Sequence, residues 1–407
     1  MPLFPFLSQH QEQSARLLKQ RSSLLKRHVV ESTTLRSIEQ RVLTHWYAMV
    51  SAHNMGESIS DDEWLALITP LFDAKLNSAA GIDWLQTVFN STDKNAVDID
   101  KVATVVQLIP EAFQSDSYEK LMGSVEHNRG LLFRWASLLG CSLSQECINR
   151  SIHSDDPIER ASALRYAVYQ SSVPVSFFTD KTNHQLSRNR PDELADWFHG
   201  ALLRNAPAAV EQVLQTVSEI PTNAGQYELI RLLALSSDEK CLPVLREYCE
   251  TDPDKGPWLL ALHGLPTAIE LLIDLLNQPT VAHSAVQAWR WLTAQPLPFA
   301  DIQEQIKSVK QTNIQLPHEA NQQAAKKWWY AQKANWSNNM AMWQGKPRTA
   351  ELLKLEYSNY RGRITQDLWD MRLLTSRIVS HEPAKLRISY FEQCQSAVTS
   401  SFIGETA

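Results

Sequence analysis

Three segments combine cations with flat aromatic faces: Trp289-Arg290-Trp291, Lys326-Lys327-Trp328-Trp329-Tyr330, and Trp336. Such sets stack on unpaired bases or anchor a protein partner. The same residue types also serve as packing wedges between helices, with Arg and Lys stems laid over the ring edges. Trp289, Trp291, Lys326, Lys327, Trp328, Trp329 and Trp336 are therefore the candidate partner-binding residues, with packing as the competing assignment.

Other reactive residue types form no recognised constellation. HExxH, GxSxG, P-loop and dinucleotide fingerprints are absent. Gly345-Lys346 resembles the end of a phosphate loop only superficially, because the upstream glycine is missing and Pro347 stands where Ser or Thr is needed. His10, His28, His45 and His53 lie near one another in sequence, but only His45 and His53 keep helical phase, which fits exposed or core-edge histidines better than a metal site. Cys141, Cys147, Cys241, Cys249 and Cys394 are odd in number, lack CxxC spacing and sit in helical patterns. They read as buried, reduced thiols. No catalytic, cofactor-binding or metal-ligating residue is assigned.

Composition narrows the function classes. With 43% apolar and 21% charged residues, the chain has the makings of a folded protein, while only 12 glycines in 407 residues disfavour an all-β fold with many tight turns. A net charge of -6 gives no global attraction to nucleic acid or to an anionic membrane. A helical-repeat DNA glycosylase is disfavoured, since the central array is acidic and no lone acid stands out among the aromatics of the basic C-terminal part. The opening MPLFPFLSQ has no basic n-region and is broken by Pro2 and Pro5, so it is a poor signal peptide, and no run is long enough to span a bilayer. A cytoplasmic protein is expected.

The elements that must position these residues are helices. From Leu262 to Thr293 the apolar residues Ala268, Leu271, Leu272 and Leu275 fall at helical spacing; after Asn277-Gln278-Pro279, Val281, Ala285, Ala288, Trp289 and Leu292 repeat it. This predicts an antiparallel pair. Neither helix hides its stripe alone, so similar pairs on either side are implied, as in a helical solenoid. Similar spacing predicts helices over Ser8–Lys26, Leu35–Ala52 and Ser60–Leu71, then over Asn77–Asn90 and Asp98–Ile109, and then shorter units from Ser117 onward. Ser154-Asp-Asp-Pro157 supplies a cap and a first-turn proline to IERASALRYAVYQ. No convincing strand is found. Residues 300–317 form a polar connection with room for one short helix, and residues 319–391 hold two to four helices. The expected division is an N-terminal helical region, 1–115, helical repeats, 116–298, and a Trp-rich basic module, 299–407, that caps the array.

Several segments together resemble a known family. QHQEQSARLLKQRSSLL and LRSIEQRVLTHWYAMVSAHNMG, with Arg41, His45 and Gly56, are similar to its opening; DDPIERASALRYA and GLPTAIELLIDLLNQPTVAHSAVQAWRWLT are similar to its repeats; LPHEANQQAAKKWWYAQKANW and MWQGKPRTAELLKLEYSNYRGRITQDLWDMRL are similar to its close. The family is that of the HEAT-like repeat proteins found with bacterial type VI secretion systems. The milder IQEQIKSVKQTNIQ replaces the acidic connection associated with that family, and some turn glycines are missing.

The resemblance implies an all-α fold, an α-solenoid of HEAT-like antiparallel helix pairs with an N-terminal helical region and a C-terminal helical cap. It implies no catalytic residues and no cofactor. The expected function is a non-enzymatic protein-binding scaffold, an accessory, adaptor or effector-chaperone protein whose partner is a type VI secretion component or effector. An immunity protein that blocks a secreted toxin is the alternative, and a nucleic-acid-binding HEAT-like protein the second. No membrane partner is expected, and the oligomeric state stays open.

Overall fold

The structure is a computed structural model that describes residues 7–57, 63–90, 98–125, 127–180, 190–219, 226–299, 317–336, 339–381 and 388. It is all-α, with most of the described residues in helices. The amphipathic spacing accounts for most of them. Leu35, Ile38, Val42, Trp46 and Met49, predicted as one face, are all buried on the helix Ser32–Asn54, which packs against Leu7–Leu25. Where the sequence offers caps, the helices begin: the Asp98 carboxylate accepts from the N–H groups of Asp100 and Lys101, Ser144 Oγ from Cys147, and the Asp156 carboxylate from Ile158 just after Pro157. Two sequence expectations, the start of the helix expected over Ser60–Leu71 and the short helix within 300–317, fall wholly or partly outside the described residues.

Two compact units emerge, one of Met1–Val173, Lys354–Trp369 and Val379–Ala407, the other of Pro174–Leu353 and Asp370–Ile378.

In the first unit, Arg129–Leu139 and Gln145–Ile152 both pack on Pro157–Val168. Glu159 ties them polar-side in: its carboxylate accepts from Ser151 Oγ at 2.6 Å and Ser154 Oγ at 3.0 Å and faces Arg129 Nε at 3.3 Å. Arg21, on the first helix, pairs with the buried Glu39 at 2.8 Å.

The second unit has a regular order of contacts. Pro191–Leu203, Gln226–Ser236, Gly256–His263 and Ala282–Thr293 pack successively, each on the next but one helix of the chain. Between them run Ala209–Glu219, Leu242–Thr251 and Pro266–Leu275, each packed on the helix that follows it. A buried ion pair, Arg231 Nη2 to Asp370 Oδ2 at 2.7 Å, with His199 Nε2 at 3.5 Å from the other carboxylate oxygen, sits among these helices. A buried charge is tolerated only when paired in this way.

The expectation of no strand needs correcting. Val30–Glu31 pairs with Tyr360–Arg361, and Met342–Trp343 with Lys346–Pro347, both antiparallel. Two-residue strands carry no alternation that a sequence pattern can register. The turn of the second hairpin, Gln344-Gly345, holds φ at +52° and +67°, the pair of left-handed residues that a tight hairpin requires.

Candidate partner-binding groove

The aromatic residues singled out from sequence all lie in the second unit, and four of them, Trp289, Trp291, Trp328 and Trp329, belong to two ring clusters. In the first, Trp289 is fully buried and meets Trp328 edge-on, ring centroids 5.5 Å apart, while Trp328 stacks on Trp329 at 6.4 Å. The Trp329 indole N–H donates to Glu270 Oε1 at 3.2 Å, and Lys333 Nζ reaches the same oxygen at 2.6 Å. The Lys333 hydrogen bond, helped by that of Trp329, holds the Glu270 carboxyl below its ordinary pKa. These contacts follow from the helix Pro317–Gln332 lying against Pro266–Leu275.

Burial separates the seven candidates. Trp289 and Trp329, 0% and 2% exposed, are packed within the unit. Trp291, Lys326, Trp328 and Trp336 are half-buried, and Lys327 is exposed. Tyr330, which extends the same motif, is 73% exposed.

The second cluster builds a site. Trp343, fully buried on the hairpin, stacks on Trp291 and meets Trp258 edge-on. Backbone bonds seat the hairpin on the ends of two helices: Met342 N–H donates to Gly264 O at 2.8 Å and Gly345 N–H to Leu292 O at 2.9 Å. Gly264 and Gly345 permit the approach, since a Cβ on either would lie 2.6 Å from a backbone oxygen, of Met342 and of Thr293 respectively.

The hairpin in turn delivers Arg348. Its Nη1 donates to Leu262 O at 2.7 Å, and its Nη2 to Ser237 Oγ, whose own hydroxyl donates to His263 O at 2.7 Å. Desolvation lowers the Arg348 pKa to about 10. His263 Nε2 bonds Asp238 O at 3.0 Å, and burial pushes its imidazole down to about 4, so the ring is neutral and Nε2 carries the proton.

Arg348 lines a groove of about 680 Å³. Arg377 lines it too, its Nη1 lying 3.4 Å from Leu202 O. Neither guanidinium forms an ion pair with a described carboxylate; their hydrogen bonds go to carbonyl and hydroxyl oxygens. Of the two acids in the wall, Glu211 pairs with Lys240 and Asp238 accepts from the Lys240 N–H. Asn205, Ala208, Ser237 and Arg377, all wall residues, hold φ between +53° and +59°. Asn205, Ser237 and Arg377 lie just past the ends of three helices, where a left-handed residue closes the last turn.

No sequence motif marked Arg348, Arg377 or Ser237. The signal that existed was the Gln344-Gly345 turn, which places Arg348, whereas Arg377 follows the last helix with no distinguishing spacing.

His10 and His45 are half-buried and His28 and His53 exposed, as expected of exposed or core-edge histidines. His45 meets His10, Nδ1 to Nδ1 at 2.8 Å across the first two helices. Burial, then the His10 and Arg41 charges, lower the His45 pKa. One ring donates and the other accepts. Among the described residues no group of three or more His, Cys, Asp or Glu is placed to hold a metal ion. Cys141, Cys147, Cys241 and Cys249 are buried free thiols, and Cys394 lies outside the described residues. No helix of the described residues is long and apolar enough to cross a membrane.

Comparison with protein-family models, with curated proteins and with solved structures finds no match.

Proposed function

We propose that the protein is a non-enzymatic helical scaffold that binds an acidic segment of a partner protein in the Arg348–Arg377 groove, as an adaptor or effector chaperone of type VI secretion. The observation that carries the reading is the pair of guanidiniums in one groove with only neutral acceptors. An Arg fork is strongest with a carboxylate, and a desolvated Arg gains most from meeting one. Leu202, Val210, Met340 and Leu374 in the same wall provide apolar surface for the rest of an extended segment. The next-but-one packing of the helices supports a stacked-repeat scaffold, whose binding surfaces are broad and passive. The secretion context comes from the sequence resemblance.

The test is affinity purification from native bacterial cells with wild-type protein, Arg377→Glu and, as a surface control, Arg246→Glu. A secretion component or effector retained by wild type and by Arg246→Glu but lost with Arg377→Glu supports the proposal. Recovery of a toxin whose activity the protein blocks favours the immunity role instead. Equal recovery by all three proteins removes the groove from consideration.

A further inference from the structure

A second groove, of about 770 Å³, lies wholly within the first unit. It has the size of a small-molecule site, for which the usual range is roughly 300–1,000 Å³. Leu18, Leu25 and the half-buried Trp64 supply its apolar wall. Four cations and one carboxylate, Asp100, line it.

Two of the cations are already matched. Arg21 pairs with Glu39 and donates to Gln107 Oε1 at 3.0 Å, and Lys101 pairs with Glu63 and Asp98. The other two, Lys26 and Arg363, are exposed and have no ion pair or side-chain hydrogen bond with a described residue.

Backbone bonds hold the segments that carry these two residues side by side. Arg363 N–H donates to Arg27 O and Ile364 N–H to His28 O, each at 3.0 Å, next to the Val30–Glu31 and Tyr360–Arg361 pairing. Gly362, at φ +100°, is what lets the segments touch: a Cβ there would lie 2.5 Å from Arg27 O and 3.0 Å from His28 O. Arg27 adds a cation at the same junction, while burial, with the Arg363 charge and against the pull of Asp367, lowers the His28 pKa, so that His28 adds no charge at neutral pH. Like charges held together in this way repel unless an anion joins them.

We propose that this groove binds a small phosphate-bearing ligand, its oxyanion between Lys26 and Arg363 and its remaining body against Leu18, Leu25 and Trp64. A singly charged carboxylate leaves one of the two cations unmatched, whereas a phosphate group offers several oxygens and up to two charges, enough for a Lys point charge and an Arg fork at once. Ser22, exposed in the same wall, adds a hydroxyl donor. The inference is independent of the partner-binding groove, since no residue is common to both.

The test is isothermal titration of the full chain at low salt with tripolyphosphate, ATP and adenosine. Tripolyphosphate and ATP are expected to bind and adenosine not to, with ATP the tighter of the two because of its added body. Lys26→Glu and Arg363→Glu are each expected to weaken both by about tenfold or more, the loss of one charge-assisted contact, without changing the melting temperature. If either charge reversal lowers the melting temperature, Lys26→Gln and Arg363→Gln replace it. Absence of binding by both phosphate probes, binding of adenosine as tight as that of ATP, or binding unchanged by the substitutions overturns the proposal.

Discussion

Trp343 lies nearly parallel to Trp291, the ring centroids 6.2 Å apart and the planes inclined by 28°. The first ring belongs to a hairpin and the second to a helix end, so this contact, with the edge of Trp258, seats the segment that carries Arg348. Three consequences are measurable.

Trp343→Ala opens a cavity in the core of the second unit and is expected to destabilise it by about 3–5 kcal/mol, read as a shift in the urea transition. Trp343→Phe costs less, because the Trp343 indole N–H has no hydrogen-bond partner to lose. Trp328→Ala, at a half-buried position, is expected to cost about 1–2 kcal/mol. Equal losses for Trp343→Ala and Trp328→Ala would show that the hairpin is not anchored by its ring.

Two glycine substitutions should differ in sign. Gly264 sits at φ +70° with the Met342 oxygen in the space of a Cβ, so Gly264→Ala is expected to destabilise by about 1–3 kcal/mol. At Gly123, inside the helix Tyr118–Ser124, a Cβ would meet nothing within 4 Å, and alanine there is expected to stabilise by about 0.4–1 kcal/mol. Melting temperatures of the two variants decide the matter.

His263 makes stability depend on pH in a defined direction. Its folded pKa is pushed down to about 4, below the 6.5 of an unperturbed imidazole, so as pH falls through 6.5 the unfolded chain takes up the proton first. The contribution is fully present above about pH 6.5 and is lost progressively down to about pH 4, reaching at most about 3 kcal/mol. Denaturation series between these limits should show a slope that His263→Gln reduces. An unchanged slope in the variant would assign the pH dependence to other groups.

The helices were legible because each carries its own local record. Val102, Val105 and Val106 mark the buried face of Ile99–Leu108, and Asp98 marks its start, all within one short window. Proline at the first helical position did the same at Pro157. The grooves were not legible, because they join segments that no window spans: 111 residues separate Ser237 from Arg348. The aromatic motif was found but only partly interpreted. Sequence spacing could not tell that Trp329 turns toward Glu270 while Tyr330, its neighbour, faces solvent. His10 and His45, on different helices, were missed as a pair because phase along one helix says nothing about a contact across two.

The hairpin also bears on biosynthesis. Arg348 closes over a carbonyl made 86 residues earlier, at Leu262, and Trp343 fills the gap beside Trp258 and Trp291 only once its own segment has left the ribosome. Until then the nascent chain carries two indoles without their cover. A transcript cut short before residue 342 would leave that raw patch permanently open to chaperones and proteases, so the last part of translation completes the middle of the protein as well as its end.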